Sequence, residues 1–539
     1  MTLLIPTAID MPLGVKFLLV LLPLLIVFIG IIGFKRRTHE MAIFGLIICF
    51  IIAVLFFETS IYIATAATIY GFFQSFGISI AIVFTMLLIF LMKEVGALET
   101  ISLAIKRVAH TREEQALFIG IGFGTFVTSL GVVTPALFPP LLIAMGFGPS
   151  SAVAISVLGY NASTSFALLS IPITLPADLF ADQLGMTALE FGYDFAYRIA
   201  LFLPVIATVI SCAMLWIIGG LKSLKKGIVP AVLSGLVIGV SSIILVVIRA
   251  PIMILGVIAG ILSMIVLYAY FVWERKRNGI KLEHEPMDKK KLLRALSPWL
   301  LLIILASIAS VPSINIFLRS IDPGFTSWII AYETVQFNVF AQVYFWIAVA
   351  AFASFYLLKP TKEQTRTVLK TWSQRIWGPF IAYSLFFSIA YIMAFSGHEL
   401  GGESLQLIAQ QYNMNYIVGI VLGDIFGPGY IFVAASLGIF GAIVGGSETA
   451  SNVLFFGIQR QVTEQIGLTD KQFMTVYASH GVAGGVASAI TPSKITNAVA
   501  TIGKGGKLES EILRKHLLIV FILTLILSMM TALFVSMGF

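Results

Sequence analysis

Glu448 and His480 are the two residues best suited to handle a proton in an otherwise apolar chain, and both sit among small polar residues. Glu448 lies in Gly445-Gly446-Ser447-Glu448-Thr449-Ala450-Ser451-Asn452, between two apolar arms. His480 lies in Ser479-His480-Gly481, followed by Gly484-Gly485, and is the one histidine of six well away from the predicted ends of membrane segments. Ionisable groups held within a membrane are costly and serve function more often than packing. Glu448 would suit a proton carrier; its plainer role is an acid bonded to backbone amides. His480 could relay a proton or donate to a substrate, or be a satisfied buried histidine. Lys494, just after Thr491-Pro492, could pair with a substrate carboxylate or with Glu448, or snorkel to the surface.

Neutral hydrogen-bonding residues accompany these three. Ser447, Thr449, Ser451, Asn452 and Ser479 flank the acid and the histidine, while Asn161, Ser163, Thr164 and Ser165 form a second group and Ser129 and Thr134 a third. Ser and Thr in membrane helices often bond only their own preceding turn, so the clusters carry more weight than any one member. Arg198 reads as interfacial, and Asp424, before Gly427-Pro428-Gly429, as a turn residue.

The clusters 128–134, 160–165, 446–452 and 479–485 each interrupt an apolar run. Irregular backbone at membrane depth is tolerated only where protein or a water-filled cavity surrounds it. Helix N-termini aimed into such a space suit a carboxylate. The pattern predicts two re-entrant hairpins entering from opposite faces, their tips meeting near two broken helices.

The elements that must position these groups are membrane helices. The 539 residues are 59% hydrophobic and 11% charged, with a mean hydropathy of +1.00, which excludes a soluble globule. Apolar runs long enough to cross roughly 30 Å of hydrocarbon recur along the chain. Spans are expected near 12–34, 39–58, 74–92, 194–220, 227–248, 251–272, 297–317, 337–358, 378–396 and 512–538, giving about 12–14 membrane segments with the interrupted ones. Cys49 and Cys212 both fall in apolar runs and read as small core residues, with no disulfide framework and no metal quartet. The first helix lacks a basic leader and a small-residue cleavage site, so it reads as retained.

Most of the 34 Lys and Arg residues gather at 35–37, 93–112, 222–226, 273–295, 359–375 and 504–515, which one threading puts on a single side. Glu58, Asp178, Asp182, Glu190, Asp322, Glu399 and Glu403 collect opposite. The positive-inside rule makes the first group cytoplasmic and both termini external, in a multi-pass protein of the cytoplasmic membrane. Location thus accounts for the net charge of +8 without a nucleic-acid partner.

An internal repeat organises the rest. Segments 12–34, 39–58, 60–72, 74–92 and 97–112 match 297–317, 337–358, 362–376, 378–396 and 402–413 in order and length, with the sides exchanged. The fold class is therefore an all-α polytopic membrane protein built from two inverted-topology repeats with re-entrant hairpins and broken helices. The first repeat is 1–226 (hairpin and broken helix 115–180), linker helices and a charged loop occupy 227–296, and the second repeat is 297–539 (hairpin and broken helix 428–502). Such halves are the usual mark of a secondary transporter. There is no metalloprotease, nucleophile-elbow, P-loop or dinucleotide motif, so no enzyme, catalytic residue, metal or cofactor is expected. A channel is the rival class, although paired inverted halves favour alternating access.

At 441–516 the chain resembles the L-lactate permease family. Gly446-Ser447-Glu448-Thr449-Ala450-Ser451-Asn452 is similar to the family's Gly-Ser-Asp-Thr-Ser-Ser-Asn, Ile490-Thr491-Pro492-Ser493 to its Ile-Ser-Pro-Gln, and Lys515-His516 recurs there. Asn161, Ile171-Pro172-Ile173 and the Arg198 region are similar in the first half. The first hairpin departs, having no carboxylate across Thr128–Thr134, and the family's intramembrane lysine falls on about Ser488, with a lysine at Lys494 instead. The resemblance implies proton-coupled uptake of L-lactate, D-lactate or glycolate; Na⁺-coupled transport of another organic anion is the alternative. Ties to a broader ion-transporter superfamily imply a homodimer with a scaffold and a mobile elevator-type domain, in contact with membrane lipid.

Overall fold

The computed structural model describes residues 11–131, 134–279, 288–309, 311–321, 326–330, 333–401, 404–502 and 507–539. The first half runs α1 (Leu13–Ile32), α2 (Thr38–Phe56), α3 (Ile61–Gln74), α4 (Phe76–Glu94) and α5 (Ala97–Lys106). Then come α6 (Arg112–Ala116), a widened turn Leu117–Phe123, α7 (Gly124–Ser129), α8 (Thr134–Ala144), α9 (Pro149–Leu158), a tight-helical stretch Gly159–Phe166 and α10 (Ala167–Phe180). The long α11 (Ala188–Val247), bent at Gly219-Gly220, and α12 (Leu255–Arg277) follow. Beyond them lie α13 (Lys289–Ala309), α14 (Pro312–Ser320), a hairpin of β1 (Thr326–Ile330) and β2 (Glu333–Gln336), α15 (Val343–Leu358), α16 (Lys362–Arg375) and α17 (Trp377–Phe395). A second hairpin, β3 (His398–Gly401) and β4 (Ser404–Leu407), leads to α18 (Met414–Phe426), α19 (Ala434–Gly445), α20 (Glu448–Gln465), α21 (Asp470–Val486), α22 (Pro492–Ala500) and α23 (Lys507–Ser536).

Among the described residues, ten helices or helix runs are long and apolar enough to cross a membrane. Leucine, isoleucine and phenylalanine point outward all along α1, α2 and α23, as lipid-facing helices require. Several boundaries differ from expectation. The two spans foreseen at 194–220 and 227–248 form one bent run, because Gly219-Gly220 makes an elbow that needs no loop. The span expected at 297–317 is displaced to α13, since Pro312 opens a separate short helix there. The 402–413 piece, expected to match the basic helix at 97–112, contains β4 and one turn at Gln410–Tyr412; small strands thus join the helical fold. Asp322, Glu403 and the Val132-Val133 part of the first tip lie outside the described residues.

Packing does not follow chain order. α17 lies against α2 and α3, while α15 and α16 lie against α4, so α1–α5 and α13–α17 make one group. The remaining helices, with α11 and α21 central, make the other, and α20 reaches across to α17. Three consecutive residues in α10, Leu168, Leu169 and Ser170, are left-handed, with φ of 49°, 53° and 60°. Such a run costs about 1–2 kcal/mol per residue and persists only where surroundings enforce it. Ser170 helps by donating to the Ile252 carbonyl at 2.7 Å. The break leaves the chain irregular where it meets α20.

Candidate functional site

The second hairpin is built from α19 and α20, joined by Gly446 at φ +73°, a conformation that favours glycine, and Ser447. Ser447 caps α20 by accepting from the Ala450 amide at 3.2 Å, so the next residue, Glu448, begins the helix. Both arms pack on α21. The Glu448 side chain is buried, and among the described residues neither carboxylate oxygen has a hydrogen-bond partner. Gly484 and Gly485 leave the room it occupies: a Cβ on Gly485 would stand 2.7 Å from Glu448 Oε2 and 3.0 Å from the Thr164 Cβ. The Ser165 hydroxyl faces the same carboxylate, beyond good hydrogen-bond geometry, and Lys494 is close enough for its charge to act on it. A buried polar group without partners calls for an explanation, and a ligand or proton supplies one.

Lys494 lies half-buried in α22, donates from Nζ to Ser488 Oγ at 2.6 Å, and sits 6.0 Å from the centre of the Tyr160 ring. Its ammonium therefore reaches the position where the resemblance places the family's lysine. Tyr160 faces Ser488 and neighbours Tyr383 of α17, which in turn faces Ser447. The acid, the ammonium and two phenols thus stand near one another where the broken stretch Gly159–Phe166, the tip of the second hairpin, α22 and α17 meet.

Asn452 ties the two halves together, its Nδ2 donating to the Pro172 carbonyl at 3.0 Å while Oδ1 stays unpaired. Asn161 donates to the Val157 carbonyl and accepts from Thr164 Oγ1 at 3.3 Å. Ser163 is buried, its hydroxyl without a partner among the described residues, and Thr449 is buried in the first turn of α20. Ser451 bonds the Gly438 carbonyl and His480 Nε2, at 3.2 and 3.0 Å. His480 is otherwise satisfied: Gln459 Nε2 donates to its Nδ1 at 3.0 Å, and Gln459 Oε1 accepts from the Tyr430 hydroxyl at 2.8 Å. With the amide so oriented, His480 carries its hydrogen on Nε2. Both ring nitrogens are engaged inside the protein, the geometry of a structural histidine.

Ser479 turns towards α23, where Thr531 donates to it at 2.6 Å. Ser129 returns its hydrogen bond to Thr125 in its own helix at 2.8 Å and packs on Gly256. The Thr134 side chain lies outside the described residues. The described part of this stretch, Thr128–Gly131, lies near Phe166 and Leu168. Arg198 pairs with Asp194 at 2.9 Å and donates to Thr475 at 2.6 Å, joining α11 to α21, while Asp424 accepts from Gln465 at 2.8 Å.

Tyr383 and Ser488 were not foreseen as site residues. Tyr383 carries no local signal, because an aromatic residue in an apolar helix reads as packing. His516 is a further surprise: α23 begins at Lys507, so this residue is fully buried, with Nδ1 bonded to the Ala489 carbonyl at 2.7 Å and Nε2 unpaired. Among the described residues no group of His, Cys, Asp and Glu could hold a metal ion.

A sequence profile described as L-lactate permease matches residues 16–538. L-lactate permeases of Escherichia coli K12 and Bacillus subtilis are each 24% identical, over 92% and 96% of both chains respectively. A glycolate permease of E. coli K12 is also 24% identical, over 94% of both chains.

Proposed function

Because the chain belongs to the L-lactate permease family, a family of transporters rather than enzymes, we propose that it carries a small 2-hydroxymonocarboxylate such as lactate or glycolate together with a proton. The observation that supports this most is Glu448, buried, without a hydrogen-bond partner, and within reach of the Lys494 charge. The substrate carboxylate would take the Lys494 ammonium and the first amides of α20, where helix N–H groups lack intrahelical partners. Glu448 would take the proton. Moving both together cancels the substrate's charge and lowers the cost of crossing the low-dielectric barrier.

The reciprocal packing of α3 on α17 and α16 on α4 supports two inverted repeats with the limits given above. The group α1–α5 with α13–α17 would be the scaffold and carry the dimer interface, and the hairpin group would be the moving elevator domain. The basic loops would face the cytoplasm and both termini the outside.

In proteoliposomes, an imposed inward proton gradient should drive labelled lactate uphill, and Glu448→Gln should keep lactate exchange while abolishing that accumulation. Accumulation by Glu448→Gln against a gradient would refute the assignment. One observation favours the Na⁺-coupled alternative: Thr125, Thr128 and Ser163 are buried hydroxyls without partners among the described residues, and oxygen ligands suit hard cations. Uptake that follows a Na⁺ gradient and ignores pH would select it.

A further inference from the structure

Asp178 of α10 is held by two residues of the other helix group. Arg319 Nη2 of α14 donates to Asp178 Oδ1 at 2.9 Å, and Gln342 Nε2, at the N-cap of α15, donates to Oδ2 at 2.9 Å. By contrast, the ion pairs Arg198–Asp194, Arg275–Glu114 and Arg460–Glu464 each stay within the hairpin group. Each end of the bridge is fastened to its own group. α10 is tied to the hairpin that bears Glu448 on both sides of Asp178: the Pro172 carbonyl accepts from Asn452 at 3.0 Å, and Phe180 stacks on Phe456 with ring centres 4.1 Å apart. Arg319 is steadied by Asn315, whose Oδ1 accepts from its Nε at 3.0 Å, and Leu318 beside it packs with Ala309 of α13 and with Ala341.

Two hollows, of about 610 and 450 Å³, are each lined by both groups, and Asp178, Arg319 and Gln342 border both of them. The larger is lined by Tyr70 and Phe73 of α3 and by Leu175 of α10, the smaller by Pro312 and Ile316 of α14 and by Gly192 and Tyr193 of α11. The seam is thus loosely filled on either side of one polar bridge. A small polar contact between bodies of one chain permits their relative motion. Gln74, Asp182 and Gln183 also line the larger hollow, so water can take over the separated charges. Both side chains are partly exposed already, Arg319 at 35% and Asp178 at 19%. A pair that is solvated on breaking escapes the penalty of an unpaired buried charge.

We infer that Asp178, Arg319 and Gln342 form a latch that holds the Glu448-bearing group against α1–α5 and α13–α17 and opens in each transport cycle. The latch rests on the proposed movement of the hairpin group and adds the contact that governs it. Charge-assisted hydrogen bonds to both carboxylate oxygens make the closed position specific. A partly screened pair biases a two-state balance by about three- to tenfold, enough to set a resting position without locking it.

The test uses the full-length protein in proteoliposomes, with Cys49 and Cys212 replaced by alanine. Spin labels on Ile61→Cys and Ile248→Cys, exposed positions on the two groups, report the distance between them. Asp178→Asn and Arg319→Gln should each populate a second distance about three- to tenfold more than the parent does. The exchange Asp178→Arg/Arg319→Asp should return the parent distribution. One unchanged distribution in every variant overturns the latch, and so does an exchange variant that behaves like the single ones. In the second arm, a short cleavable bifunctional thiol reagent joining Asp178→Cys to Arg319→Cys should lower lactate exchange about tenfold or more, and cleaving it should restore the rate. Each single-cysteine variant treated alike should keep its rate. Full exchange by the joined protein shows that the seam does not part and overturns the proposal. If the parent moves no lactate, the transport reading fails, while the distance arm still judges the latch.

Discussion

The two interrupted stretches that carry small polar residues, Gly124–Gly131 and Gly445–Asn452, differ in chemistry. The second carries Glu448 at the start of α20, a capped helix whose side chains bond α21 and α10. The first has no charged residue across Gly124–Ser129, and the Thr125 and Thr128 hydroxyls there are buried without a partner among the described residues. The contrast teaches that one tip is organised around a charge and the other around close packing. α7 packs closely on α12 and on the stretch Gly159–Phe166, with Phe126 against Gly260 and Gly124 against Tyr160.

This comparison can be broken or sharpened by substitution. The largest effect belongs to Glu448→Gln, whose pH-driven accumulation ratio should fall to unity while exchange of labelled for unlabelled lactate persists. Next comes Lys494→Ala, which should weaken binding about 10- to 100-fold, the worth of a charge-assisted hydrogen bond of about 1.5–3 kcal/mol; isothermal titration with lactate measures it. Asn452→Ala strips the Pro172 carbonyl of its donor and should lower stability by about 1–3 kcal/mol, read as a reduced unfolding temperature. His480→Phe should cost a similar amount, because Gln459 and Ser451 lose their partner, yet leave the pH dependence of uptake in place. A changed pH profile would return His480 to the proton path. The smallest effect is expected from Thr128→Val, within about 0.5 kcal/mol of the parent or slightly stabilising, since its hydroxyl bonds nothing. Loss of transport in Thr128→Val would make the two tips chemical equals and end the contrast.

The members of the site were unequally legible. Glu448, Lys494 and the 160–165 cluster stood out because charges and small polar residues are rare in apolar runs. His480 stands out for the same reason, yet its Nδ1 partner Gln459, itself held by Tyr430, is not near it in sequence. Ser479 shared the cluster but faces α23, since neighbouring residues on a helix point about 100° apart. Tyr383 was invisible because its partners come from another part of the chain.

Composition and periodicity alone determined the membrane setting, most spans and the interrupted segments, because each depends on local hydrophobicity and on glycine, proline and small polar residues. Which face each side chain shows, and which distant group meets it, was decided only by tertiary packing. Glu448 is a candidate proton site from its residue type alone, but its surroundings of Gly485, Ser165 and Lys494, three residues from three elements, follow from no local rule.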